Sequence, residues 1–109
     1  MTIEEMKKDE DWEEVWNYAP KNVSMNDVER IIATDDGMND GDDWIGIFKL
    51  MDGRYLHLWA GCDYTGWGCL EGGDSLLFDS EEKALSKLAL GEDWRERLKD
   101  QLSEYKKDW

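Results

Sequence analysis

The residues that invite chemistry sit around a glycine-rich stretch. His57, Cys62, Asp63 and Cys69 lie close together in the chain, which holds one His and two Cys in all. A thiol beside an imidazole can form a nucleophile–base pair. The same groups with a carboxylate could hold zinc, but structural zinc takes four ligands, often in C-x2-C pairs. Here six residues separate the cysteines and there is no third Cys. Neither set is complete, so no catalytic residue, metal or cofactor is assigned. His57 reads as a packed strand residue and the cysteines as reduced thiols in a tight loop.

A second candidate is Asp35-Asp36-Gly37-Met38-Asn39-Asp40-Gly41-Asp42-Asp43. A calcium loop of the EF-hand type wants oxygen ligands at alternate positions, a Gly at the sixth and a Glu at the twelfth. Starting at Asp36, Asp40 and Gly41 fit, while Met38 and Ile47 fall where ligands are needed. The third candidate, Gly61 to Gly73, lacks Gly-Lys-Ser/Thr and does not complete G-x-G-x-x-G. Asp63, Glu71 and Asp74 would also repel an anion. Nucleotide binding is not expected.

What remains is charge. The chain has 27 acids against 13 bases, net −14 over 109 residues. Residues 1–43 carry 14 acids and 4 bases, net −10, and residues 44–109 carry 13 and 9, net −4. Nucleic acid and anionic membrane both need a cationic protein face, so direct contact with either is excluded. A basic protein surface is the complementary partner. Met1–Glu14 shows no apolar leader segment, and no apolar run approaches the ~18 residues of a membrane span. A cytoplasmic location is expected.

The elements that must position these residues can be read from patterning. Thr2-Ile3-Glu4-Glu5 is a capping box opening a helix from Ile3 to about Tyr18, with Trp12, Val15 and Trp16 on one face. Ser24 starts a second helix, Met25 to Ala33, burying Val28, Ile31 and Ile32. Strands over Trp44–Leu50 and Arg54–Ala60 flank Asp52-Gly53, a strong hairpin signal. Leu56, Leu58 and Ala60 face one way, and Tyr55, His57 and Trp59 the other. Both faces are largely apolar, so both are covered or one is a binding face. Ser75–Phe78 is a short third strand. Asp79 caps a helix over Ser80–Leu90, which Gly91 ends. A last helix, Asp93 to about Lys107, buries Trp94, Leu98, Leu102 and Tyr105. The expectation is one α+β domain over 1–109: an acidic helical region and loop (1–43), a β hairpin and Gly-rich loop (44–78) and C-terminal helices (79–109). Its small antiparallel hairpin or meander, about 44–60 and 75–78, packs with helices from both ends.

The runs Asp52-Gly53-Arg54-Tyr55 and Cys62-Asp63-Tyr64-Thr65-Gly66-Trp67-Gly68-Cys69 resemble a family of small uncharacterised bacterial and phage proteins. Its members share a D-G-R-Y hairpin and a C-D-Y-T-G-W-x-C loop. The resemblance spans about residues 42–75. It implies no enzyme activity, and it implies a phage or prophage setting in which small acidic inhibitors of host defence occur. The leading expectation is a non-catalytic acidic inhibitor that covers a basic nucleic-acid-binding surface, such as that of a CRISPR effector, a restriction enzyme or another nuclease. Carboxylates in series can imitate DNA, which carries one charge per ~3.4 Å of strand. The residues expected to do so are Asp35, Asp36, Asp40, Asp42 and Asp43, supported by Glu10, Asp11, Glu13 and Glu14. The alternative is a scaffolding module that binds through an exposed aromatic patch of Tyr55, His57, Trp59 and Trp67.

Overall fold

The Asp52-Gly53 turn forms the hairpin predicted from it. Leu50 N–H donates to the Arg54 carbonyl at 2.8 Å, and Arg54 N–H donates to the Asp52 carboxylate at 3.0 Å. The hairpin is the centre of a four-stranded antiparallel sheet in the computed structural model, which describes residues 1–68 and 72–105. Its strands are β1 (Val28–Asp35), β2 (Trp44–Leu50), β3 (Tyr55–Gly61) and β4 (Gly72–Phe78), paired in chain order. The fold is α+β, and Ser75–Phe78 belongs to β4.

Side chains of β2 and β3 alternate between two cores, as the pleat requires. Trp44, Phe48, Leu50, Leu56, Leu58 and Ala60 enter the first core. Ile45, Ile47 and Tyr55 enter the second. The N-terminal segment covers the first face through Met6, Trp12, Val15 and Trp16. Ala84, Leu85, Leu90, Leu98 and Leu102 cover the second. The sheet is therefore a middle layer between two helical ones.

The N-terminal helix is not continuous. It divides into α1 (Ile3–Lys8) and α2 (Glu10–Val15), followed by a 3-10 turn over Trp16–Tyr18. The Thr2–Glu5 capping box is present. The break comes at Asp9, whose extended backbone closes α1 and whose carboxylate accepts from Asp11 N–H and Trp12 N–H at 2.9 and 3.2 Å. An aspartate that can cap a new helix competes with continuing the old one. The new start directs Trp12 and Val15 into the core, so the expected buried face survives.

The helix expected over Met25–Ala33 is instead one 3-10 turn, Met25–Asp27, leading into β1. The apolar spacing is misleading for a physical reason. The β1–β2 register shifts between Val28 and Arg30 and again between Ile31 and Ala33. Each irregularity inserts one residue, so same-face neighbours fall three apart rather than two. Val28 and Ile31 thus both pack on the first core, and Ile32 reaches the second. A bulged strand reproduces the i, i+3, i+4 signature of a helix.

The helix expected over Ser80–Leu90 is shorter and is capped one residue later. Ser80, not Asp79, is the N-cap, and α3 covers Glu81–Ala84. Beyond Ala84 the regular ladder gives way, with Ser86 N–H turning back to the Lys83 carbonyl at 3.4 Å, and the Ala84 carbonyl lies 2.7 Å from His57 Nε2. Gly91 then serves as N-cap of α4 (Glu92–Leu98), which continues as turns to Tyr105. Leu98 and Leu102 are fully buried, with Trp94 and Tyr105 packed beside them. The expected end near Lys107 lies outside the described residues.

Replacing Leu98 with Ala removes a fully buried side chain from the second core. Chemical denaturation should show a loss of about 2–4 kcal/mol. An unchanged midpoint would mean that α4 is not docked on the sheet.

Candidate partner-binding surface

The acidic residues are brought together by the topology of the meander. The β1–β2 connection, 36–43, and the loop that follows β3 leave the same end of the sheet. Asp40 N–H donates to the Cys62 carbonyl at 3.0 Å, tying one loop to the other. Within the first loop, Met38 N–H donates to the Asp42 carbonyl at 3.0 Å and Gly41 N–H to the Met38 carbonyl at 3.2 Å. Gly37 and Gly61 are needed for this closeness. A Cβ on Gly37 would collide with the backbone of Asp42, Asp43 and Trp44, and one on Gly61 would collide with the Asp43 carboxylate.

Two indoles bring α2 to the same end. Trp12 buries its ring against Phe48 and donates its Nε1–H to the Asp36 carboxylate at 2.8 Å. Trp67 packs on Trp44, with ring centroids 5.2 Å apart, and donates its Nε1–H to Asp11 at 3.0 Å. Arg97 completes the anchoring from the opposite layer. Its side chain is only 11% exposed, and its Nε–H donates to Asp35 at 2.8 Å. The same guanidinium donates to the carbonyls of Asp36 at 3.4 Å and Asp43 at 2.8 Å.

The nine nominated acids therefore divide. Asp35, Asp36 and Asp11 are held by specific donors. Glu14 accepts from Asn17 Nδ2 at 3.2 Å. Asp43 is exposed as a residue, yet its carboxylate lies against the Gly61 backbone. Burial raises that carboxyl above the ordinary carboxylate range, with Arg97 opposing and Asp42 and Asp93 reinforcing the rise. Glu10, Glu13, Asp40 and Asp42 are exposed, and among the described residues no hydrogen bond or ion pair engages their carboxylates. Of the three anchors, Trp12 and Arg97 carry no expected site role, and Trp67, expected in the aromatic patch, instead fixes an acid of α2. Each acts across 24 or more positions of sequence, so no local pattern marks it.

The expected aromatic patch is not exposed. Tyr55 is buried, with its hydroxyl 3.3 Å from Glu81. His57 is 2% exposed and lies between Phe78 and Trp94, with ring centroids at 4.5 and 5.2 Å. Trp59 is half-buried, edge-on to Trp94. Trp67 is half-buried too, packed on Trp44, whose side chain lies in the other core. The C-terminal helical layer already occupies the face that would have formed the patch, because an apolar sheet face this size is covered from within the chain when enough chain remains.

The Cys-His pairing is not assembled either. His57 faces the second core, and Cys62 belongs to the first, with Sγ 2.7 Å from Asn39 Oδ1. Cys69 lies outside the described residues. Among the described residues no group of three or more His, Cys, Asp or Glu is placed to hold a metal ion, and no helix is long and apolar enough to cross a membrane. In the two runs that carry the resemblance, Asp52 and Asp63 hold turns. Asp52 binds Arg54 through both backbone and side chain, and Asp63 accepts from Thr65 N–H at 2.9 Å and Thr65 Oγ1–H at 2.6 Å. No protein-family model, curated protein or solved structure matches the chain.

Two outcomes follow from this geometry. Arg97→Met should loosen the acidic loop, cost about 0.5–1.5 kcal/mol for the hydrogen bonds lost, and speed amide exchange over 36–43. If exchange there is unchanged, Arg97 is not the anchor. The second outcome concerns acid. Burial lowers the His57 pKa from 6.5 to about 4, with the Ala84 hydrogen bond opposing. The unfolded chain then binds a proton before the folded one does. The His57 contribution is thus intact above the unfolded pKa of 6.5, falls as pH drops, and is fully lost below about 4, a total of about 3 kcal/mol. Unfolding free energies of wild type and His57→Gln, compared between about pH 7 and pH 4, isolate this slope from the carboxylates common to both. Parallel profiles would show that His57 does not titrate in a buried site.

Proposed function

We propose that this protein is a non-catalytic acidic binding protein that covers a basic, nucleic-acid-binding surface of another protein. In this reading it acts as a DNA mimic, an inhibitor of the phage or prophage type that the sequence resemblance implies. The observation that carries the reading is the shared placement of two acidic segments, α2 and the 36–43 loop, held together by Trp12, Trp67 and Arg97. The unengaged carboxylates of Glu10, Glu13, Asp40 and Asp42 would supply the charge that meets the partner.

Anchoring matters to such a role. A mobile acidic tail gives attraction without register, whereas fixed carboxylates pay less ordering entropy on binding. Like charges held close also destabilise the free protein through self-repulsion. A cationic groove relieves that repulsion, so the same charges that weaken the fold favour the complex. Long-range attraction speeds encounter and is screened over a Debye length of ~10 Å at 0.1 M salt.

The test uses the four carboxylates that engage no hydrogen bond or ion pair among the described residues. Glu10→Gln, Glu13→Gln, Asp40→Asn and Asp42→Asn are combined in one variant. Wild type should displace a fluorescent DNA duplex from a cationic CRISPR effector or restriction enzyme, with affinity falling steeply as salt rises. The variant should associate about tenfold or more slowly, within the range of electrostatic steering, with a melting temperature unchanged or higher. Equal association rates for variant and wild type at every salt concentration would remove the proposal.

A further inference from the structure

The two edges of the sheet are treated differently. On β1 the edge is closed. Gln101 donates its side-chain Nε2–H to the Thr34 carbonyl at 2.8 Å and accepts from Thr34 N–H at 2.9 Å, so one amide takes the place of a neighbouring strand. The two register shifts in β1 further spoil that edge for pairing.

Among the described residues β4 has neither device. All seven residues from Gly72 to Phe78 pair with β3 in unbroken register. Ser75 N–H does not enter that ladder; it donates to the neighbouring Asp74 carboxylate at 2.8 Å. Antiparallel pairing alternates along a strand, so Gly73, Ser75 and Leu77 direct their backbone groups to the open side. The edge carries exposed apolar side chains, Leu76 at 51% and Leu77 at 36%. A cleft of ≈ 630 Å³ opens past its C-terminal end, lined in part by Phe78, Leu88 and Ala89.

We infer that β4 accepts an extended, cationic peptide segment of a partner protein as a fifth strand. Charge selects this occupant. A second copy would bring another −14 to the same edge, and long-range repulsion opposes that approach. A segment that alternates apolar and basic residues meets no such barrier. Its apolar side chains cover Leu76, and its carbonyl replaces the Asp74 carboxylate on Ser75 N–H. The released carboxylate, with exposed Glu82 nearby in the chain, is then available to a Lys or Arg of the incoming strand. Main-chain hydrogen bonds supply affinity and the alternating side chains supply direction. The inference rests on the edge and the net charge; β4 starts at the acidic end, where Gly72 pairs with Gly61, and its outward backbone groups lead away from it.

The probe is a fluorescent synthetic peptide of alternating valine and lysine, titrated into the intact protein at low salt. Controls are its valine–glutamate counterpart and the same valine–lysine peptide N-methylated at alternate backbone amides. Binding of the valine–lysine peptide is expected, with slowed amide exchange at Gly73, Ser75 and Leu77. N-methylation should weaken it at least about tenfold, and so should Ser75→Pro, which removes an outward N–H without touching the β3 ladder. The variant neutralised at Glu10, Glu13, Asp40 and Asp42 should keep most of the binding. The inference is overturned if the N-methylated peptide binds as well as its parent. Equal binding of the glutamate peptide overturns it, and so does loss of binding in the neutralised variant with none in Ser75→Pro. A dimer in sedimentation velocity that Ser75→Pro abolishes assigns the edge to a second copy and overturns it as well.

Discussion

The structure depends on one constraint: the β2–β3 hairpin is apolar on both faces and must be covered on both. The strands alternate Trp44, Phe48 and Leu50 to one side with Ile45 and Ile47 to the other, and β3 continues the pattern. A two-layer arrangement would leave one of these faces in water, at roughly 25 cal/mol per Å² of apolar surface. The chain solves this by placing the hairpin mid-sequence, with helical segments before and after it. The N-terminal segment takes the first face and the C-terminal segment the second. Everything at the acidic end follows from this division. α2 arrives from one layer carrying Asp11 and Trp12, and α4 arrives from the other carrying Arg97. They meet the 36–43 loop at the sheet end where β1 finishes and β2 begins.

Charge is handled by the same architecture. Trp12 is fully buried and Trp67 half-buried, each with its indole N–H turned toward an acid at the rim. The apolar body of the residue stabilises the core while its polar tip fixes a carboxylate. Arg97 does the equivalent with a guanidinium, whose fork reaches one carboxylate and two carbonyls at once. Acids in contact with these groups are structural. Other acids of the same two segments, Glu10, Glu13, Asp40 and Asp42, are left with solvent as their surroundings.

Much of this was legible in the sequence, and the failures have identifiable causes. The hairpin was readable because Asp52-Gly53 is a local signal and strand alternation has period two. The capping box at Thr2 was readable for the same reason. β1 was misread because two register irregularities change the period from two toward three, and Ile31-Ile32 then looks helical. The first helix was drawn too long because Asp9 reads as a surface acid until its carboxylate is seen capping α2. The helix after Ser80 ends earlier than its pattern suggests, where Ser86 turns back to the Lys83 carbonyl and the Ala84 carbonyl meets His57, 27 positions away on β3. For the acidic end, the cluster of carboxylates was visible as composition. Its division into held and unheld members was not, since the holding groups come from distant segments. The aromatic stripe of β3 was visible too, but whether it faces a partner or the chain's own helices is decided by tertiary packing.

His57 shows how closely the two layers are coupled. Its Nε2 must carry the hydrogen, because the Ala84 carbonyl can only accept. That bond joins the last residue of α3 to β3, so a strand residue fixes where the helix end sits on the sheet. The chain leaves α3 at Ala84 and turns through Leu85 to Leu90, and Gly91 then caps α4. A longer α3 would delay that turn and shift the point at which α4 starts along the sheet. Arg97 lies one helical turn and a half into α4 and reaches Asp35 at 2.8 Å, a distance with little tolerance for such a shift. The buried imidazole on one end of β3 and the anchored acidic loop at the other are thus connected through the placement of a single helix.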